Sequence, residues 1–249
     1  MKNTRFPKKF LKYTHKPHRS TKNKGRKNPA VLILHEITGI TEHTKRVAQK
    51  FADAGYIAIT PNLFEDKRIQ KIFKEMPRLF EKAQKEGKDL TELNKKINEK
   101  LYKILNSKKF IDTTINKLNQ WIDSLKSLDT VDADNISVIG FSFGGWYAFK
   151  LIQLRNDIRK AVIFYGFYDV TEEMIKEVKR PMLGFYGELE SSINEIQRIK
   201  ELAKKYQKPI KIYMCKQAKH SFFDDTNPRR YNKGASDFAW KKTLGFLNN

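Results

Sequence analysis

From residue 30 onward, short apolar runs alternate with longer amphipathic ones. Residues 31–34 (Val-Leu-Ile-Leu) read as a buried strand, followed by a glycine-containing turn and a helix over 43–54. Gly55 stops that helix, residues 56–59 form the next strand, and Pro61 ends it. Further strands are predicted at 136–139, 161–165, 182–186 after Pro181, and 210–214 after Pro209. Helical patterns lie between them, including 192–206 and a closing helix over 236–247. Strand alternating with helix predicts an α/β fold with a mostly parallel sheet wound on both faces.

Residues 65–128 break the alternation. They carry no strand signal, and Leu90, Leu93, Ile97, Leu101 and Leu105 recur at helical spacing, as do Ile115, Leu118, Ile122 and Leu125. This stretch is expected to be a helical insertion or cap within one domain spanning 30–249. A cap over an active site would set the size of the substrate.

Composition narrows the class. At 249 residues, with 39% hydrophobic and 12% aromatic content, the chain can bury a large core. No apolar run approaches the roughly 18–20 residues of a membrane span. The N-terminus has no apolar segment of the secretory kind, and a single cysteine, Cys215, excludes an internal disulfide framework. A cytoplasmic protein is the expectation. The net charge of +22 is concentrated at the start: residues 1–29 hold eleven Lys or Arg and no acid. Such a block reads as a solvated basic tail, or as a contact for a polyanion or an anionic membrane surface. No recognisable nucleic-acid motif accompanies it, so no specific nucleic acid is expected.

The strand at 136–139 runs into Gly140-Phe141-Ser142-Phe143-Gly144-Gly145 and then a helical pattern. A serine hydroxyl becomes a nucleophile when it is exposed on a sharp turn, faces a base and lies opposite an oxyanion site. Between a strand and a helix, a Gly-x-Ser-x-Gly elbow supplies the exposure, and the N–H of Phe143 is aimed at a developing oxyanion. The base should follow in chain order. Of five histidines, His15 and His18 lie in the tail, His43 begins what reads as a surface helix, and His35 ends a strand as a packed residue. His220 alone follows the last strand. The acid belongs on a preceding strand's loop, where Glu188, Glu190 and Asp169 all qualify by spacing. A second oxyanion donor is expected at the N–H of Ile37, with Glu36 beside the site. No Cys/His/Asp group has metal-ligand spacing, no glycine-rich phosphate loop is present, and the mechanism calls for no metal or cofactor.

These motifs, in this order, resemble the dienelactone hydrolase family of α/β-hydrolases. The resemblance rests on Leu34-His35-Glu36-Ile37-Thr38-Gly39, on Ala54-Gly55-Tyr56 through Phe64, on the elbow, on Tyr186-Gly187-Glu188-Leu189-Glu190 and on Lys219-His220-Ser221-Phe222-Phe223. It implies the α/β-hydrolase fold and a Ser142–His220 pair with Glu190 as the acid, where the family usually has Asp. It also implies oxyanion donors at Ile37 and Phe143, and a Glu36 that contacts the resting nucleophile. Three departures stand out: Ser142 where the best-known members carry Cys, the longer Glu190, and Asp224 where dienelactone-cleaving members carry an Arg that holds the substrate carboxylate. The expected activity is hydrolysis of a small carboxylic ester or lactone, thioesters included, through an acyl-enzyme. The competing expectation is a catalytically silent fold that binds a polyanion or membrane through residues 1–29.

Overall fold

The computed structural model describes residues 14–16, 27–166 and 169–249. Seven strands form one sheet: β1 (Thr14–His15), β2 (Asn28–Leu34), β3 (Ile57–Ile59), β4 (Val131–Phe141), β5 (Lys160–Phe164), β6 (Met182–Gly187) and β7 (Ile210–Cys215). Their spatial order is β1-β3-β2-β4-β5-β6-β7. Only β1 runs antiparallel to its neighbour; every other pairing is parallel. Residues 30–34 of β2, 161–164 of β5 and 182–186 of β6 are apolar and buried throughout because a parallel sheet covered on both faces leaves no side for water.

The helices of this unit are α1 (Glu42–Asp53), α5 (Phe143–Leu154), α6 (Glu172–Lys176), α7 (Ile193–Lys205) and α8 (Lys233–Asn248). Thr41 caps α1, its hydroxyl accepting the Thr44 N–H. Residues Asn62–Gln120 form a separate compact unit. It holds α2 (Lys67–Lys85), α3 (Leu90–Leu105) and most of α4 (Lys108–Lys126). Asp66 and Asp89 cap α2 and α3 through their side chains. None of the described helices is long and apolar enough to cross a membrane.

Two sequence expectations change. The stretch read as a basic tail contains β1 and the start of β2, since Thr14 and His15 pair with Ile59 and Ala58; the rest of residues 1–26 lies outside the described residues. The short α6 was not anticipated: its five residues are too few to show a period, and the Thr171 cap defines it instead.

An aromatic ladder crosses the sheet just below its C-terminal edge. Phe141, Phe164, Phe185 and Tyr213 are register partners on β4, β5, β6 and β7. Their ring centroids are 4.6, 5.2 and 5.7 Å apart. Phe141 and Phe164 are the last residues of β4 and β5, and Phe185 and Tyr213 lie two residues before the ends of β6 and β7, so the ladder sits where the loops beyond the sheet begin. Buried aromatic pairs of this kind add about 0.5–1.5 kcal/mol each beyond their burial.

Candidate active site

Parallel strands deliver all their C-terminal loops to one edge, and the site assembles there. β4 is central, flanked by β2 and β5. At its end Ser142 adopts φ 48° and ψ −116°, a conformation that costs a non-glycine residue on the order of 1–3 kcal/mol and persists only when its surroundings impose it. They do so here through two main-chain bonds: Ser142 N–H donates to Phe164 O at 2.9 Å, and Gly145 N–H donates to Ser142 O at 2.8 Å. Serine is a favoured helix cap, yet Ser142 makes no side-chain capping bond to α5. Its Oγ instead lies 3.0 Å from His220 Nε2.

The elbow glycines are small because backbone comes far inside van der Waals distance of where a Cβ would stand. A Cβ on Gly144 would lie 2.2 Å from Leu34 O at the end of β2, and one on Gly140 would lie 2.4 Å from Gly144 O. The first approach docks the start of α5 against the loop that follows β2.

His220 sits in the loop after β7, with its side chain one-third exposed. Its Nδ1 is 3.0 Å from Glu190 Oε2. The other Glu190 oxygen accepts the Gly187 N–H at 3.1 Å, so this buried carboxyl is fully used. With a carboxylate at Nδ1, that nitrogen carries the proton and Nε2 is left to accept the serine hydrogen. The acid turn and the histidine loop are joined by main-chain bonds, Glu188 N–H to Cys215 O and Leu189 N–H to Ala218 O, both 3.0 Å. Phe223, three residues beyond His220, packs on Phe164 at 4.8 Å and so anchors the loop to the ladder. Of the three acids compatible with the sequence, Glu190 reaches His220. Glu188 is exposed and accepts the Gln217 N–H, and Asp169 is exposed at φ 47°.

β2 pairs directly with β4, Leu34 opposite Gly140. Residues 35–39 therefore emerge beside the elbow and bring Glu36 and Ile37 to the same edge; Phe143 opens α5. His35 is packed inside, with Nδ1 2.6 Å from Glu36 O. Tyr165, read from the sequence only as the end of a strand, belongs to this group. Its position after β5, the strand beside β4, was the signal available. Its ring lies 5.0 Å from the His220 ring and its φ is 44°. Burial holds the Tyr165 hydroxyl well above the usual tyrosine range, and the negative charges of Glu36, Asp224 and Glu190 push the same way. It stays a protonated hydroxyl.

His43 departs from its surface reading: it is 3% exposed, edge-on to Phe141 at 5.4 Å. Cys215 is buried as expected, and burial, then Glu188 and Glu190, pushes its thiol up to about 12.

Residues 18–249 match the family model described as "Dienelactone hydrolase family". The chain belongs to the dienelactone hydrolase family. With that family it is a hydrolase. It is 26% identical over 234 residues to a protein of Saccharolobus solfataricus provisionally named carboxymethylenebutenolidase, covering 88% of each chain. A Synechocystis protein of the same provisional name is 25% identical over 225 residues, covering 86% of this chain and 83% of its own. Among solved structures, a provisionally described dienelactone hydrolase from Klebsiella pneumoniae superposes with a TM-score of 0.72 at 20% identity, covering 95% and 91% of the two chains. At that identity the likeness establishes the α/β-hydrolase fold.

Proposed function

We propose that this family member hydrolyses a small carboxylic ester or lactone through an acyl-enzyme on Ser142. The observation that carries the reading is the unbroken chain from Ser142 Oγ through His220 to the buried Glu190, each link 3.0 Å. His220 Nε2 takes the Ser142 proton as Oγ attacks the acyl carbon. Glu190 holds the imidazole in the right tautomer and offsets the charge it gains. The N–H groups of Phe143 and Ile37 receive the oxyanion, a contribution worth about 10²–10³ in rate per donor. His220 then protonates the departing alcohol and afterwards activates the water that releases the acid. Thioesters pass through the same tetrahedral oxyanion and fall within the same chemistry.

Glu36 is assigned the approach to the resting nucleophile. Asp224 stands where dienelactone-cleaving members carry the Arg that holds the substrate carboxylate, and without that cationic side chain neutral acyl groups are favoured. The cytoplasm is the compartment we assign, on the single buried thiol. The silent polyanion-binding alternative depends on residues 1–29, and no observation on the described part of that stretch favours it.

The test is a panel of short activated esters, lactones and thioesters of graded length, assayed beside labelling with a fluorophosphonate. Wild type should turn over and label, and Ser142→Ala should do neither while melting at a similar temperature. Normal turnover by Ser142→Ala would remove the assignment.

A further inference from the structure

Many ion pairs among the described residues join exposed side chains three or four positions apart on one helix. His43, Asp224 and Asp225 are different. His43 stands in the first turn of α1, while the two carboxylates lie in the turn that follows His220, about 180 positions later. One ligand atom from each comes within 4.8 Å of the others. None of the three is a member of the Ser142–His220–Glu190 chain.

The imidazole is the informative member. It is 97% buried, yet none of the described residues hydrogen-bonds to it. Nε2 is enclosed and lacks a partner, with the rings of Phe141 and Phe223 packed around the imidazole. Nδ1 is therefore the nitrogen left to compensate the burial, and it is aimed between the carboxylates. It lies 3.7 Å from Asp224 Oδ1 and 3.7 Å from Asp225 Oδ1. That spacing is too long for an N–H···O bond. It is close to the roughly 3.3–3.6 Å between two ligands that share one cation at bond lengths of about 2.0–2.2 Å.

We propose that His43 Nδ1, Asp224 and Asp225 bind one divalent transition-metal cation, of the zinc or manganese kind. One imidazole with two carboxylates is a donor set for such ions. The carboxylates are already oriented from outside. Thr226 donates both its N–H (2.9 Å) and its hydroxyl (2.6 Å) to Asp224 Oδ1, which leaves Asp224 Oδ2 as the oxygen to ligate after a small turn of the carboxylate, and Arg46 Nη1 donates to Asp225 Oδ2 at 3.0 Å, leaving its Oδ1. Partners of this kind hold ligands in place and are worth roughly 10–100-fold in affinity. One guanidinium against two carboxylates leaves a negative spot in a strongly basic chain. The Asp225 side chain is 31% exposed, which supplies an entry path and room for water in the remaining coordination positions; a rotation of that side chain closes the ligand set. The bound ion ties α1 to residues 221–225, immediately beyond His220.

The full-length chain, freed of metal with a chelator, is titrated with Co²⁺ while the visible absorption is followed, and then with Zn²⁺ while the melting temperature is read. One equivalent of Co²⁺ should give d–d bands, Zn²⁺ should displace it, and Zn²⁺ should raise the melting temperature by several degrees. His43→Phe should abolish the bands. Should that buried variant fail to fold, Asp225→Asn, at an exposed position, carries the test and should weaken Co²⁺ binding at least roughly tenfold. Absence of bands and of any melting shift at a large excess of metal overturns the proposal. Binding that survives undiminished in Asp225→Asn or in folded His43→Phe overturns it equally, since the ion is then held elsewhere.

Discussion

Replacing Gly144 with alanine adds one methyl group to one of the tightest places among the described residues. The new Cβ would stand 2.2 Å from Leu34 O, 2.5 Å from Leu34 C and 2.7 Å from His35 O. All three are backbone atoms at the C-terminal end of β2, so no side chain can rotate away. Leu34 is itself locked opposite Gly140 in the sheet. Relief requires α5 and the end of β2 to separate by about an ångström. Overpacking of a closed core costs about 1–3 kcal/mol, which in a chain of this size lowers the melting temperature by about 3–10 °C. The same displacement moves the loop carrying Ile37 away from Ser142, so turnover of the best ester should fall further than stability does. Gly245→Ala is the matched control. It lies in α8, exposed, with nothing within 4 Å of its Cβ, and alanine there should stabilise by about 0.5–1 kcal/mol through helix propensity alone. Thermal melts and ester turnover of the two variants decide the matter. If Gly144→Ala melts and turns over like wild type, the close approach of elbow and β2 does not govern the site and the reasoning fails.

Three other outcomes are expected. Glu190→Gln keeps the shape of the acid but loses its charge, so kcat/KM on an ester should drop by about 10³–10⁴ while the melting temperature changes little; a loss under tenfold would show that another group orients His220. The Cys215 thiol, pushed up to about 12 from 9.0, chiefly by burial, should resist alkylation at pH 8 in the native protein and react once it is unfolded. The folded state binds that proton more tightly than the unfolded one, so the associated stability is present below about pH 9 and is lost as pH rises from there toward 12; Cys215→Ala should flatten that part of the pH–melting curve. Asp157 is held below the usual carboxylate range by hydrogen bonds from Arg155 and then from Lys126, which outweigh its partial burial. Its stabilisation is present above about pH 4 and lost as pH falls further, so Asp157→Asn should lose less melting temperature than wild type between pH 6 and 3.

Much of this protein is legible in one dimension. The apolar runs at 31–34, 136–139, 161–165, 182–186 and 210–214 lie within, or one residue beyond, the observed strands. Buried parallel strands must be apolar on both faces, and that requirement is local in the sequence. The elbow is legible for a related reason: glycine, serine and glycine at fixed spacing between a strand and a helix encode a backbone turn. His220 could be chosen because only one histidine follows the last strand. The tertiary structure decided the rest. Three acids were equal by spacing, and Glu190 alone reaches His220, because the turn at Gly187 folds its carboxyl inward while Glu188 points to solvent. β1 has two residues, too few for any period, and exists only because β3 offers an edge. His43 looked like a surface residue because a helical pattern shows which side faces the core and not what the core contains. Its burial against Phe141 and Phe223, and its meeting with Asp224 and Asp225, arise from contacts between positions far apart in the chain. Local patterns determine elements and turns; which side chains meet depends on the packing that brings those elements together.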